Sequence, residues 1–139
     1  MIIHQSRFIQ LAEQLGRLWA GIWSERSGAV EAIRSEMDAL AAQAGLELDL
    51  ALRRSPESLA LLISPGGTPD PGRGWLLAEL LYLSARLAER SGDPGAAGES
   101  DRRALLLYRL LDRDRLPAAD LPDIDSRIED LERRLHRSG

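Results

Sequence analysis

The most apolar stretch of the chain, residues 75–91, constrains the fold more than any other feature. Leucine, alanine, tryptophan and tyrosine cover most of the circumference that this stretch would present as a helix, and three of its charged residues, Glu79, Arg86 and Arg90, form one narrow stripe. A helix that is apolar on nearly all sides must be surrounded by other elements. The sequence therefore predicts a helix at the centre of a helical domain, or one shared with a partner chain. Glu79 is predicted either to extend its carboxylate to the surface or to be salt-bridged, with a functional role as the alternative.

The residues that follow this stretch form a stop and restart signal. Gly92 suits the left-handed residue that ends a helix, Asp93 suits the N-cap of the next helix, and Pro94 suits its first position. The glycine-rich segment 88–100 is therefore predicted to be a tight corner rather than a flexible linker. Together with a second helix that extends to about residue 111, it predicts a helical hairpin.

The N-terminal part of the chain also shows helical periodicity. Apolar residues at helical spacing predict one helix over 6–24, with Ser6 as its N-cap, and a second over 29–44, with Gly45 as its C-cap. Leu46, Leu48, Leu50 and Leu52 alternate with other residues as in a strand, but no second strand exists to pair with them, so a short helix is favoured. The Ser55-Pro56-Glu57 sequence predicts the start of another short helix that ends near residue 63.

The C-terminal part of the chain carries a heptad-like seam. Its apolar residues follow one another at spacings of three and four: Leu121, Ile124, Ile128, Leu131 and Leu135. Asp120 and Asp123 suit the N-terminus of this helix. The seam predicts docking onto the preceding hairpin, with pairing between two chains as the open alternative.

These elements predict a single all-α domain of six or seven helices. Residues 64–74 contain three prolines and four glycines and are predicted to form a mobile loop between an N-terminal half, residues 5–63, and a C-terminal half, residues 75–137. A chain of 139 residues is long enough to bury one core without disulfides or metal.

Composition excludes several kinds of chemistry. Cysteine is absent and all 18 basic residues are arginine, so thiol catalysis, Cys-based metal sites and a lysine-dependent phosphate loop are excluded. The two histidines, His4 and His136, stand near opposite ends of the chain. We therefore predict a non-enzymatic protein with no cofactor and no metal.

Charge and hydropathy also limit the partners. The net charge of −4 argues against a general nucleic-acid-binding role, and no apolar run is long enough to span a membrane. The first residues lack the pattern of a signal peptide, so a cytoplasmic location is expected.

The hairpin resembles one tetratricopeptide repeat. Aligned on the turn at Gly92, the unit covers about residues 78–111. The matching positions are Leu81 at the large residue of the first helix, Ala97 and Ala104 at the small positions of the second, and Leu105 after them. The departures are Ser84-Ala85 at the leucine–glycine pair, Ala88 at the tyrosine, Asp101 at the second-helix aromatic and Arg109 at the proline. The resemblance implies a helical hairpin followed by a capping helix. The whole arrangement is also similar to small helical domains of bacteria that bring no known activity with them.

Excess apolar surface indicates protein–protein interaction or self-association, and a homodimer is predicted. Trp19 and Trp23 are four residues apart and share a helical face. The other residues of this candidate interaction surface are Trp75, Tyr82, Leu106, Leu107 and Leu110.

The alternative function is a regulatory module that binds a small molecule or an anion in a pocket between the two halves, gated by residues 64–74. In that case Arg102 and Arg103, one of three arginine doublets, are candidate anion contacts.

Overall fold

A computed structural model describes residues 5–22, 29–64, 67, 70–111, 113–116 and 124–138. The described residues form an all-α fold. Its helices are α1 (Gln5–Ile22), α2 (Ala29–Gln43), α3 (Leu48–Arg53), α4 (Leu59–Leu62), α5 (Pro71–Arg90), α6 (Pro94–Leu110) and α7 (Ile124–Ser138). Short 3₁₀ turns, Pro56–Ser58 and Arg113–Arg115, precede α4 and follow α6. The prediction of an all-α fold with six or seven helices is confirmed.

Helix α5 is the centre of the fold. Sixteen of its twenty residues are buried, and it packs against α1, α2, α3 and α6. The prediction of a central helix is confirmed, but its start was placed too late. The carboxylate of Asp70 accepts hydrogen bonds from the backbone N–H groups of Gly72 at 3.0 Å and Arg73 at 3.4 Å, and so caps a helix that begins at Pro71. The predicted loop over 64–74 is therefore wrong at its C-terminal end, because residues 71–74 are the first turn of α5.

The corner between α5 and α6 is the predicted stop and restart. Gly92 has φ +80°, in the left-handed region that favours glycine, and Asp93 Oδ1 accepts a hydrogen bond from Ala96 N at 3.1 Å. Helix α6 then runs antiparallel to α5 and forms the most extensive helix–helix contact of the fold.

The N-terminal helices largely follow their prediction. Gly45 has φ +73° and ends α2 as expected, and Arg73 Nε donates to Ala44 O at 2.7 Å, which ties the end of α2 to the beginning of α5. One cap was wrong. Ser6 lies inside α1, which begins at Gln5, so it does not occupy the N-cap position. The short helices α3 and α4 are present; Ser55 precedes the 3₁₀ turn, but its hydroxyl bonds to that of Ser58 instead of capping a backbone N–H.

Helix α7 docks onto α6 of the same chain. Ile124 and Leu131 are buried in the common core, and Ile128 and Leu135 are half-buried against it. These four residues of the heptad seam therefore dock onto the same chain, as predicted. The rest of that prediction (Leu121, Asp120 and Asp123) lies outside the described residues.

One hydrophobic core joins both halves of the chain. It includes Phe8 of α1, Met37 of α2, Leu59 of α4, Trp75 of α5 and Leu131 of α7. The rings of Phe8 and Trp75 meet edge to face with centroids 5.2 Å apart. Within the described residues, the two predicted halves therefore share their apolar interior.

Candidate functional site

The residues of the candidate interaction surface do not form one exposed patch. Trp75, Tyr82 and Leu107 are buried in the core of the chain, Trp19 and Leu106 are half-buried, and Leu110 is 50% exposed. Trp23 lies outside the residues whose side chains the structure describes. The apolar excess that indicated self-association is thus largely covered by the chain's own helices. Among the described residues, the exposed large apolar side chains are Ile9, Leu61 and Leu110, on three different helices.

The two candidate anion contacts, Arg102 and Arg103, lie in different environments. Arg102 is exposed, whereas Arg103 is buried, with its Nε donating to the carbonyl oxygen of Arg54 at 2.8 Å. Its Nη1 lies 4.0 Å from Oε2 of Glu99. The guanidinium of Arg103 is therefore held by the protein itself, and the doublet does not present two free cations side by side.

A groove of about 580 Å³ lies between the two predicted halves. Helices α2 and α3 form one wall, and α5 and α6 form the other. Apolar side chains of Met37, Leu48 and Ala88 contribute to its floor and are buried. Its rim carries exposed charged residues, which are Arg34, Asp38, Asp49, Asp93 and Glu99. The position agrees with the pocket expected between the halves. The expected gate does not appear in the described part of residues 64–74, since none of those residues lines the groove.

Two serine hydroxyls lie in the groove with their hydrogen-bonding capacity unused. Ser100 of α6 is only 4% exposed and lines the groove, as does the half-buried Ser84 of α5. Within the described part of the chain, neither hydroxyl has a hydrogen-bond partner. The Ser100 hydroxyl can therefore donate a hydrogen bond to, and accept one from, a polar group that enters the groove.

A buried ion pair lies on the other side of α5, where α7 docks. Glu79 is fully buried, and its carboxylate lies 3.5 Å from Nε and 3.4 Å from Nη2 of Arg127 on α7. The guanidinium carbon of Arg127 stands 4.6 Å from the ring centroids of both Trp19 and Tyr82. The cation is therefore held by a carboxylate and two aromatic faces at once. The predicted salt bridge of Glu79 is present, and its partner comes from the C-terminal helix.

A second buried ion pair joins the two helices of the hairpin. Nη2 of Arg86 lies 2.6 and 2.9 Å from the two carboxylate oxygens of Asp101, and both side chains are only 4% exposed. Arg86 also contacts Glu89 at 3.0 Å, and Asp130 of α7 at 3.8 Å. The Tyr82 hydroxyl donates to Asp130, and Arg134 Nε donates to the same carboxylate at 2.8 Å. Partial burial opposes ionisation of Asp130, but these two hydrogen bonds prevail and lower its pKa.

Burial raises the pKa of Glu79 above its ordinary value, and the positive charge of Arg127 only partly opposes this. A carboxyl group whose pKa is raised in the native state binds its proton more readily there than in the unfolded chain. Its contribution to stability is complete below about pH 4, the pKa of an unperturbed glutamate, and is lost as the pH rises through the native pKa. This sign is opposite to that expected for Asp130.

Substitution of Glu79 with glutamine is expected to remove this pH dependence. The free energy of unfolding of the variant, relative to the unaltered chain, should rise between pH 4 and 7, because only the unaltered chain loses stability as Glu79 ionises. Urea unfolding at a series of pH values measures the difference, and the contribution of Asp130 cancels because both chains contain it. A relative stability that falls over the same range would contradict the raised pKa.

These features define a small helical protein with a groove between its N-terminal helices and its C-terminal hairpin, and with a buried charged network where α7 docks. Comparison with family models, curated proteins and solved structures found no match. In the described ranges, each helix is too short or too polar to cross a bilayer.

Proposed function

We propose that this chain is a non-enzymatic protein-interaction module that binds a segment of a partner protein in the groove between α2–α3 and the α5–α6 hairpin. The observation that supports the proposal is Ser100, a residue only 4% exposed that lines the groove and whose hydroxyl has no hydrogen-bond partner among the described residues. An extended polypeptide supplies both N–H and C=O groups to such a hydroxyl.

The shape of the groove favours a polypeptide over a small molecule. Its charged rim residues are exposed, while Met37 and Leu48 at its floor are buried. An apolar floor with a solvated polar rim is the usual organisation of a protein–protein contact, whereas small-molecule sites enclose most of the ligand. In the described lining no histidine accompanies Ser84 or Ser100, which supports a binding role for these serines.

Two further expectations from the sequence, a repeat-like hairpin and self-association, bear on this proposal. Ala97 and Ala104 are buried where the tetratricopeptide resemblance expects small residues, which supports a repeat-like hairpin. Self-association receives less support, because most of the residues that motivated it pack within the chain.

Filling the groove is expected to abolish binding. Ala96 is half-buried on α6 and lines the groove, so Ala96→Trp places a large ring there, while Arg102→Trp places the same ring on the exposed surface of the same helix. The probes are peptides selected for binding to the full chain from a displayed library of random 12-residue sequences. Their affinity for Ala96→Trp should be at least about tenfold lower, which corresponds to about 1.4 kcal/mol of binding free energy. Arg102→Trp should bind as the unaltered chain does.

Thermal unfolding of both variants checks that each is folded. Failure to select any peptide, or peptides that bind Ala96→Trp as tightly as the unaltered chain, would overturn the groove as the binding site. Peptides that lose affinity only in Arg102→Trp would point instead to the surface on which the anion hypothesis depended.

A further inference from the structure

We infer that the groove selects segments that carry arginine or lysine, an inference that rests on the proposed binding function. Four carboxylates and two guanidiniums line the groove: Asp38, Asp49, Asp93 and Glu99 against Arg34 and Arg103. The lining therefore has an excess of two negative charges. Because field lines concentrate in a cleft lined mainly by one sign of charge, the groove attracts segments of the opposite sign.

The net charge that an incoming segment would meet is more negative than this count suggests. The Arg103 side chain is only 10% exposed and donates to the carbonyl of Arg54, so its charge is held within the protein. Glu99 is 65% exposed at its side chain and has only a 4.0 Å contact with Arg103, and Asp38 is exposed with no ion-pair partner among the described residues. Two carboxylates are therefore available to an incoming cation, whereas Arg34 is the available cation in the described lining.

The N-terminus of α6, which lies at the groove, is already capped by an acidic side chain. A helix N-terminus favours anions, which would argue for an acidic ligand. Here the Asp93 carboxylate accepts the hydrogen bond of Ala96 N and supplies that negative charge from within the chain. A bound segment whose basic side chain lies at the rim would neutralise the excess negative charge. Its backbone could at the same time form hydrogen bonds with the Ser84 and Ser100 hydroxyls.

The experiment compares two double variants of equal net charge. Asp38→Asn with Glu99→Gln removes the two available carboxylates of the groove. Glu13→Gln with Glu31→Gln removes two exposed carboxylates from α1 and α2 that do not line it. The probes are the peptides selected on the unaltered chain, with their dissociation constants measured at 50 and 300 mM NaCl. Their basic residues are also replaced by glutamine.

The selected peptides should be enriched in arginine and lysine over the input library. Their affinity should fall about three- to tenfold in the groove variant and upon replacement of their basic residues, and the added salt should weaken binding less in the groove variant. The control variant should retain the affinity of the unaltered chain.

The outcomes separate the two proposals. Some peptides could lose affinity for Ala96→Trp and yet lack basic residues, or bind the groove variant as tightly as the unaltered chain. Either result would overturn the charge preference and leave the binding function standing. An equal loss in both double variants would attribute the effect to net charge and also overturn it. If no peptide is blocked by Ala96→Trp, both proposals fail.

Discussion

Replacement of Arg86 with methionine is expected to lower the free energy of unfolding by about 3–5 kcal/mol. Methionine fills much of the same volume but leaves the Asp101 carboxylate, which is 4% exposed, without its cation. An uncompensated buried charge costs far more than the loss of an ion pair in water. Equilibrium unfolding in urea at pH 7, followed by circular dichroism, measures the change.

The matched control uses a pair that also joins two helices but remains in solvent. Arg109 of α6 and Glu132 of α7 lie 3.4 Å apart with both side chains more than half exposed, so Arg109→Met should change the midpoint little. A combined Arg86→Met and Asp101→Leu variant should recover much of the lost stability, because it removes the stranded carboxylate. An Arg86→Met variant as stable as Arg109→Met would contradict the role assigned to this pair.

Truncation of Leu131 to alanine is expected to destabilise the protein by about 2–5 kcal/mol. Leu131 is fully buried where α7 meets the core, so its loss leaves a cavity at the contact that holds the helix in place. Urea unfolding gives the total, and limited proteolysis shows whether α7 is cleaved first.

The control for this prediction is Leu135→Ala, one turn further along α7. Leu135 is half-buried, so its truncation removes less apolar contact and should cost clearly less. Equal effects at the two positions would mean that the buried seam of α7 does not hold it to the hairpin.

The helices could be predicted from sequence because their ends are encoded locally. Gly92, Asp93 and Pro94 act through their own backbone preferences and nearby N–H groups, so no distant contact was needed to place the corner. The same Asp-Pro pattern at Asp70 and Pro71 begins α5, but it stands in a segment with four glycines and three prolines, a composition that predicts a loop.

The groove and the charged network could not be predicted, because their residues come from different helices. Asp101 appeared only as a departure from the aromatic of a tetratricopeptide repeat, and its pairing with Arg86 depends on the packing of α5 against α6. Likewise, the sequence left open whether Glu79 reaches the surface or forms a salt bridge, and nothing in the local sequence identifies Arg127 as its partner. Ser100 had no distinguishing signal, since the groove that it lines is formed by residues of four different helices.

The position of Arg127 has a consequence for how the chain folds during synthesis. Its guanidinium lies against both Trp19 of the first helix and Tyr82 of the central one, and it neutralises Glu79. Until α7 leaves the ribosome, the carboxylate of Glu79 lacks this cation, and its burial is opposed by desolvation. We therefore expect the nascent chain to remain loosely packed around α5 until α7 emerges, and Trp19 fluorescence should report when α7 docks.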